Sequence, residues 1–146
     1  MAETKYLTAS DVFALTDWFL QRLGYRPVIL RGNGQALLDS AVHRAQTAAY
    51  YGGADLFLQA AALANGIALN HPFVDGNKRS AWAACVAFLW LNGHPVPDNA
   101  MDPLAEQLIA QHELTDRTEA DELLAHWLRA RLGTRQDDRA QGPPRR

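Results

Sequence analysis

Apolar residues recur at intervals of three and four along most of this chain, the spacing that places them on one face of a helix. The β-branched residues never gather into runs that alternate with polar residues, as a half-buried strand would require. The pattern predicts helices over 10–23, 36–45, 56–69 and 77–91, and two more that open at Asp102 and Thr118. We therefore expect an all-α fold, a compact single-domain helical bundle.

Two of the predicted helices are apolar on nearly every side. Residues 56–69 include only Gln59 and Asn65 as polar side chains, and residues 81–91 form an uninterrupted apolar run. A helix that is hydrophobic all round is a buried helix. These two helices are therefore expected to form the centre of the core, with the residues between them presented as a loop.

Two other segments lack a helical pattern. Residues 47–54 contain the pair Gly52 and Gly53, which favours a loop or a small hairpin. Residues 133–146 contain charges, glutamines and prolines but no large apolar residue, so burial cannot offset the entropy of ordering them. We expect one domain over 1–132 and a disordered tail after it.

The composition supports a helical protein and excludes several functions. Among the 146 residues are 25 alanines and 20 leucines, which are strong helix formers. The 14 basic and 16 acidic side chains give a net charge of -2, which argues against direct DNA binding, because phosphate contacts need a concentrated positive surface. Cys85 is the only cysteine, so neither an intramolecular disulfide nor a thiolate metal cage is expected.

The sequence shows neither a secretory signal nor a membrane-spanning segment. The amino end has no basic-then-apolar signal, and no apolar run approaches the roughly 20 residues that a membrane span requires. The expectation is a cytoplasmic protein that does not enter a membrane.

The chemistry concentrates in residues 71–79, between the two apolar helices. A helix that begins at Asn77 points unpaired N–H groups into this loop, and Lys78 and Arg79 add positive charge beside them. Such a site suits nucleotide phosphates. Asp75 is a carboxylate that can hold Mg2+ on the phosphates, and His71 can take a proton from an attacking hydroxyl near neutral pH.

Each of these residues also has a simpler interpretation. His71 can be an ordinary helix-end histidine, Asp75 an ordinary carboxylate at a helix start, and Lys78 and Arg79 solvated side chains. Asp121, on the last predicted helix, is most simply part of a solvated face. Taken one at a time, these residues do not distinguish a functional site from ordinary structural roles.

The string as a whole resembles the signature of the Fic/Doc family: histidine, phenylalanine at the third position, an acid at the fifth, then a small residue and asparagine. The following Lys78 and Arg79 make it look like the Doc branch, the death-on-curing toxins of toxin–antitoxin pairs. The upstream string 37–41, followed by Arg44 and Gln46, also looks like the second helix of that branch.

The resemblance implies a role for each position. His71 would be the catalytic base, Phe73 would anchor the loop in the core, and Asp75 would bind the Mg2+ of ATP. Four successive residues would hold the nucleotide phosphates: Gly76, Asn77, Lys78 and Arg79. A flap hairpin that aligns the target polypeptide would correspond to Tyr50, Tyr51, Gly52 and Gly53.

Two departures from the nucleotidyl-transferring Fic members bear on the reaction. Those members have glycine where this chain has Lys78, and a second arginine where it has Trp82. The resemblance therefore implies transfer of the γ-phosphate of ATP to elongation factor Tu, which blocks translation. AMP transfer to a protein and a catalytically silent binding module are the alternatives.

The resemblance also implies a partner. The chain contains no serine or threonine followed four residues later by glutamate and then glycine or asparagine, the self-inhibitory motif of many Fic proteins. Restraint would then come from a small antitoxin whose carboxy-terminal segment folds into a groove on the toxin.

Overall fold

The computed structural model describes residues 3–25, 28–110 and 116–133, and within them the chain is helical, as predicted. The helices are α1 (Ala9–Arg22), α2 (Gly34–Gly52), α3 (Leu56–Asn70), α4 (Asn77–Leu91), α5 (Asp98–Ala110) and α6 (Arg117–Leu128). A single π-helical turn, Arg129–Gly133, follows α6. None of the described helices is long and apolar enough to cross a membrane. The predicted tail falls almost wholly outside the described residues, and the domain boundary near 132 stays a prediction.

Helix α3 is the central helix, and α2, α4 and α6 all pack against it. Its residues from Gln59 to Ala68 are all buried, as the apolar pattern predicted. Many of them are alanine, which allows the neighbouring backbones to approach closely. At Gly66 even one added methyl group would meet the Arg44 side chain and the Ala41 backbone. The core therefore holds α3 and α4 in fixed positions, and with them the loop that joins them.

Side-chain caps define where α1, α3 and α6 begin. The Thr8 side chain accepts a hydrogen bond from the Asp11 N–H at 3.1 Å, and the Asp11 carboxylate accepts one from the Thr8 N–H at 2.9 Å. This reciprocal capping box starts α1 one residue before the predicted position. Asp55 caps α3 by accepting from the Leu58 N–H at 2.9 Å.

The predicted flap hairpin over 47–54 is wrong. Tyr50, Tyr51 and Gly52 form the last turn of α2, and Gly53 ends the helix in the left-handed conformation, with φ of 63°. The two tyrosine side chains are each 81% exposed and contact each other edge to face. This turn projects beyond the core, so none of its faces needs apolar residues, and the helical periodicity is absent although the helix continues.

The predicted solvated position of Asp121 is also wrong. Asp121 is buried, and its carboxylate accepts hydrogen bonds from Arg44 at 2.8 Å and from Asn65 at 2.9 Å. Arg44 also donates to the backbone carbonyl of Ala62 at 2.6 Å. These bonds join α2, α3 and α6 through a paired and hydrogen-bonded carboxylate, the condition under which a charged group is tolerated in a core.

Candidate active site

The loop between α3 and α4 is held by two residues in left-handed backbone conformations. His71 ends α3 with φ of 52°, and among the described residues it is the only non-glycine residue with positive φ. Gly76, the N-cap residue just before α4, has φ of 82°, and a Cβ at this position would also lie 2.9 Å from the Leu20 side chain. Only glycine suits position 76. At His71 the left-handed backbone is strained, so the surrounding structure must stabilise it.

Phe73 and Asn77 fasten the middle of the loop to the core. Phe73 is 1% exposed and packs beside Phe13, with ring centroids 6.2 Å apart. The Asn77 side chain accepts from the Phe73 N–H and donates to the Phe73 carbonyl, both at 2.9 Å. One buried amide therefore satisfies both backbone groups of Phe73, which leaves the loop little freedom. The Asn77 amide nitrogen also lies 3.5 Å from Nδ1 of His71.

An extended segment, 28–31, lies along the outer side of this loop. Leu30 pairs with Phe73 in an isolated antiparallel bridge. The Arg31 N–H donates to the Pro72 carbonyl at 3.0 Å, and the Val74 N–H donates to the Ile29 carbonyl at 2.8 Å. This segment, and not 50–53, is the one beside the loop. The run of apolar, partly β-branched residues at 28–30 is the sequence signal that could have indicated it.

A cavity of about 670 Å3 opens over the loop and the first turn of α4. This volume lies within the usual range for small-molecule sites. The structure brings all the sequence-predicted catalytic, metal and phosphate-binding residues together on its lining: His71, Asp75, Gly76, Asn77, Lys78 and Arg79. The predicted flap residues are absent from that lining, and Phe73 lies beneath it in the core.

The far end of this cavity is mainly apolar and was not predicted as part of a site. Trp82 lies one helical turn beyond Lys78 on α4, and its ring packs against Phe19 at 4.8 Å between centroids. Its buried Nε1 has no hydrogen-bond partner among the described residues. Met101 and Ala105 of α5 complete this wall.

A second cavity, of about 410 Å3, lies on the other side of the loop. Asp75, Gly76 and Arg79 line both cavities, and Tyr25 and Ile29 contribute to the second one. Asp75 and Arg79 are therefore accessible from both cavities, whereas Lys78 lines only the first.

The sequence is similar to that of known proteins. The model of the Fic/DOC family matches residues 6–89, more than half of the chain, and the match contains the whole loop and segment 28–31. The chain belongs to the Fic/DOC family. It is also 48% identical over 68 residues to Toxin Doc from Mycolicibacterium smegmatis. That similarity covers 44% of this chain and 51% of the relative, so the chain spans about half the length of the relative that it matches.

The family match ends within α4, so the α5 wall of the large cavity lies outside it. In this Fic/DOC chain the cavity is therefore bounded partly by residues that the family model does not cover. Among them is Asp102. Its carboxylate is the second one on the lining, in addition to that of Asp75.

Asp75 fits the requirements of a Mg2+ ligand. Its side chain is exposed on the cavity, and one oxygen accepts from the Gly76 N–H at 2.8 Å. The other oxygen has no partner among the described residues. No group of three or more potential metal-ligating side chains occurs in the described parts of the chain. A single carboxylate is still sufficient for Mg2+ that arrives with nucleotide phosphates, since this ion is usually bound through one or two carboxylates together with the substrate.

Proposed function

We propose that this Fic/DOC protein is the toxin of a toxin–antitoxin pair. It transfers the γ-phosphate of ATP to a hydroxyl group of a translation factor, with elongation factor Tu as the expected acceptor, and so blocks translation. The observation that carries this proposal is the convergence of His71, Asp75, Lys78 and Arg79 on one cavity at the amino end of α4.

The loop supplies groups for each part of such a reaction. The acceptor oxygen attacks the γ-phosphorus and its proton passes to the imidazole of His71. The bond from the γ-phosphorus to the bridging oxygen then breaks, and ADP leaves. Mg2+ bound through Asp75 would neutralise charge on the phosphates. Lys78, Arg79 and the free N–H groups at the start of α4 stabilise the negative charge of the transition state.

Two features favour phosphate transfer over AMP transfer. The position of the second arginine of nucleotidyl-transferring members is taken by Trp82, which packs against Phe19 and contributes no charge. The position of their glycine is taken by Lys78, which adds charge at the cavity. Without the second arginine, the site lacks a positive charge that would hold the nucleotide with its α-phosphate presented for transfer.

The test is to incubate the protein with ATP, Mg2+ and purified elongation factor Tu and to weigh the factor by mass spectrometry. A phosphate-sized increase supports the proposal, and a nucleotide-sized increase replaces it with AMP transfer. No increase would favour a silent binding module. His71→Asn should abolish transfer while preserving the fold, because asparagine tolerates the left-handed backbone better than alanine does. His126→Asn, which changes an exposed histidine on α6, is the matched control.

The proposal includes a partner and a location. We expect a small antitoxin whose carboxy-terminal segment binds in a groove of this protein, and cytoplasmic action, since the expected acceptor works in translation. Co-expression with the antitoxin should restore growth, whereas unrestrained expression of the wild-type chain, but not of His71→Asn, should arrest it.

A further inference from the structure

Tyr25 lies just after α1, and its side chain contacts Arg79 in the first turn of α4. We infer that Tyr25 is a positioning residue, which holds the Arg79 guanidinium in the orientation that binds phosphate. The inference rests on the proposed function, because it assigns to Tyr25 a part in the nucleotide site. Tyr25 did not stand out in the sequence, since it is separated from Arg79 by 54 positions.

Two contacts define the orientation of Arg79. The guanidinium carbon lies 4.1 Å from the centroid of the Tyr25 ring, within range of a cation–π interaction. Nη2 of Arg79 also donates a hydrogen bond to the Tyr25 hydroxyl oxygen at 2.7 Å. The ring restricts the position of the guanidinium group, and the hydroxyl restricts its rotation. Together they select one arrangement of a long side chain that would otherwise occupy many.

Tyr25 is itself fixed to the end of α1. Its N–H donates to the Leu20 carbonyl at 2.9 Å, and the N–H of the preceding residue, Gly24, donates to Gln21 at 3.0 Å. Gly24 has φ of 84°, so these bonds form a glycine-based helix cap. The backbone of Tyr25 is therefore fixed by α1, a helix that packs against α4.

The two contacts with Tyr25 leave Arg79 available to a ligand. Only one of the five guanidinium N–H groups is used by Tyr25, and the others have no acceptor among the described residues. Arg79 lines both cavities beside the loop. A guanidinium that is already oriented loses less conformational freedom when it binds phosphate, so pre-organisation increases affinity without adding a contact to the ligand.

The experiment measures binding of inorganic tripolyphosphate by calorimetry, because this probe reports on the phosphate site alone. Tyr25→Phe keeps the ring and removes the hydroxyl, and should weaken binding about threefold. Tyr25→Leu removes both contacts and should weaken it about tenfold. Tyr50→Phe, on an exposed tyrosine of α2, should leave binding unchanged.

A double-mutant cycle separates positioning from a general effect on the fold. In an Arg79→Gln background, Tyr25→Leu should cause no further loss of affinity, because Tyr25 acts only through Arg79. The NMR order parameter of the Arg79 Nε–H group should also fall in Tyr25→Leu without any ligand. An equal loss in both backgrounds, or wild-type affinity in both Tyr25 variants, would overturn this inference and leave the proposed function standing. A wild-type protein that does not bind the probe would overturn the proposed function as well.

Discussion

Replacing Gly34 by alanine is the sharpest test of how tightly the fold holds the active-site loop. Gly34 is the first residue of α2, and a Cβ built on it would overlap the backbone carbonyl oxygen of Pro72 and lie 3.1 Å from Cβ of Leu30. The oxygen belongs to the backbone, so no side-chain rotation can relieve the overlap. Restoring an ordinary contact requires the loop to move by about 1 Å.

The cost of this movement can be estimated from the contacts it breaks. Forcing an extra carbon into a packed site costs about 1–3 kcal/mol. Displacing the Pro72 carbonyl weakens its hydrogen bond from the Arg31 N–H, which adds about 1 kcal/mol. Alanine is the better helix former by at most about 1 kcal/mol, which offsets part of the loss. We therefore expect Gly34→Ala to lower the free energy of unfolding by about 2 kcal/mol and Tm by roughly 6–8 °C.

The assay is urea unfolding followed by tryptophan fluorescence, together with the rate of phosphate transfer. Gly52→Ala is the matched control in the same helix, since nothing lies within 4 Å of an added Cβ there. Its stability should equal or slightly exceed that of the wild type. In Gly34→Ala the rate should fall about 100-fold, because His71 moves with Pro72. A Gly34→Ala protein with the urea midpoint of the wild type would show that the loop yields freely, and would refute the reasoning.

Three other predictions concern single side chains. Asn77→Ala should lower the free energy of unfolding by about 2–4 kcal/mol, because it leaves two buried backbone groups of Phe73 without partners, and a wild-type denaturation midpoint would contradict this. Burial alone would raise the pKa of Asp55, but Arg129 and the helix-capping N–H groups outweigh it and the pKa is lowered. Because the folded-state pKa is the lower one, this stabilisation is present above about pH 4 and is lost as the pH falls through the folded value. Asp55→Asn should therefore flatten the decline of the free energy of unfolding on the acid side, by less than about 1 kcal/mol for so exposed a pair, and an unchanged decline would exclude the effect. Burial raises the pKa of Cys85 to about 12, so iodoacetamide should label it only after unfolding, and rapid labelling of the native protein would contradict its position.

The central helices were predicted well because their limits are local. The predicted spans 56–69 and 77–91 differ from α3 and α4 by a single residue at one end. Asp55 caps α3 through its own neighbours, and Pro72 prevents α3 from continuing past His71. The gathering of the loop residues around one cavity also follows from their closeness in the chain.

Errors arose where a helix lies outside the core or a residue finds a distant partner. The end of α2 carries Tyr50 and Tyr51 into solvent, so no apolar periodicity marks it as helical. Asp121 has the same flanking pattern as a solvated residue, but its partner Arg44 is 77 positions away. Neither outcome can be obtained from a short window of sequence.

The sequence by itself therefore determined the helical class, the two central helices and the string of reactive residues between them, because caps, turns and periodicity act over a few residues. Only the tertiary structure decided which segment lies beside the loop, where Arg79 is held and what closes the far end of the cavity. Segment 28–31, Tyr25 and α5 reach the site from distant parts of the chain. Their arrival depends on how the whole core packs, and no local preference specifies it.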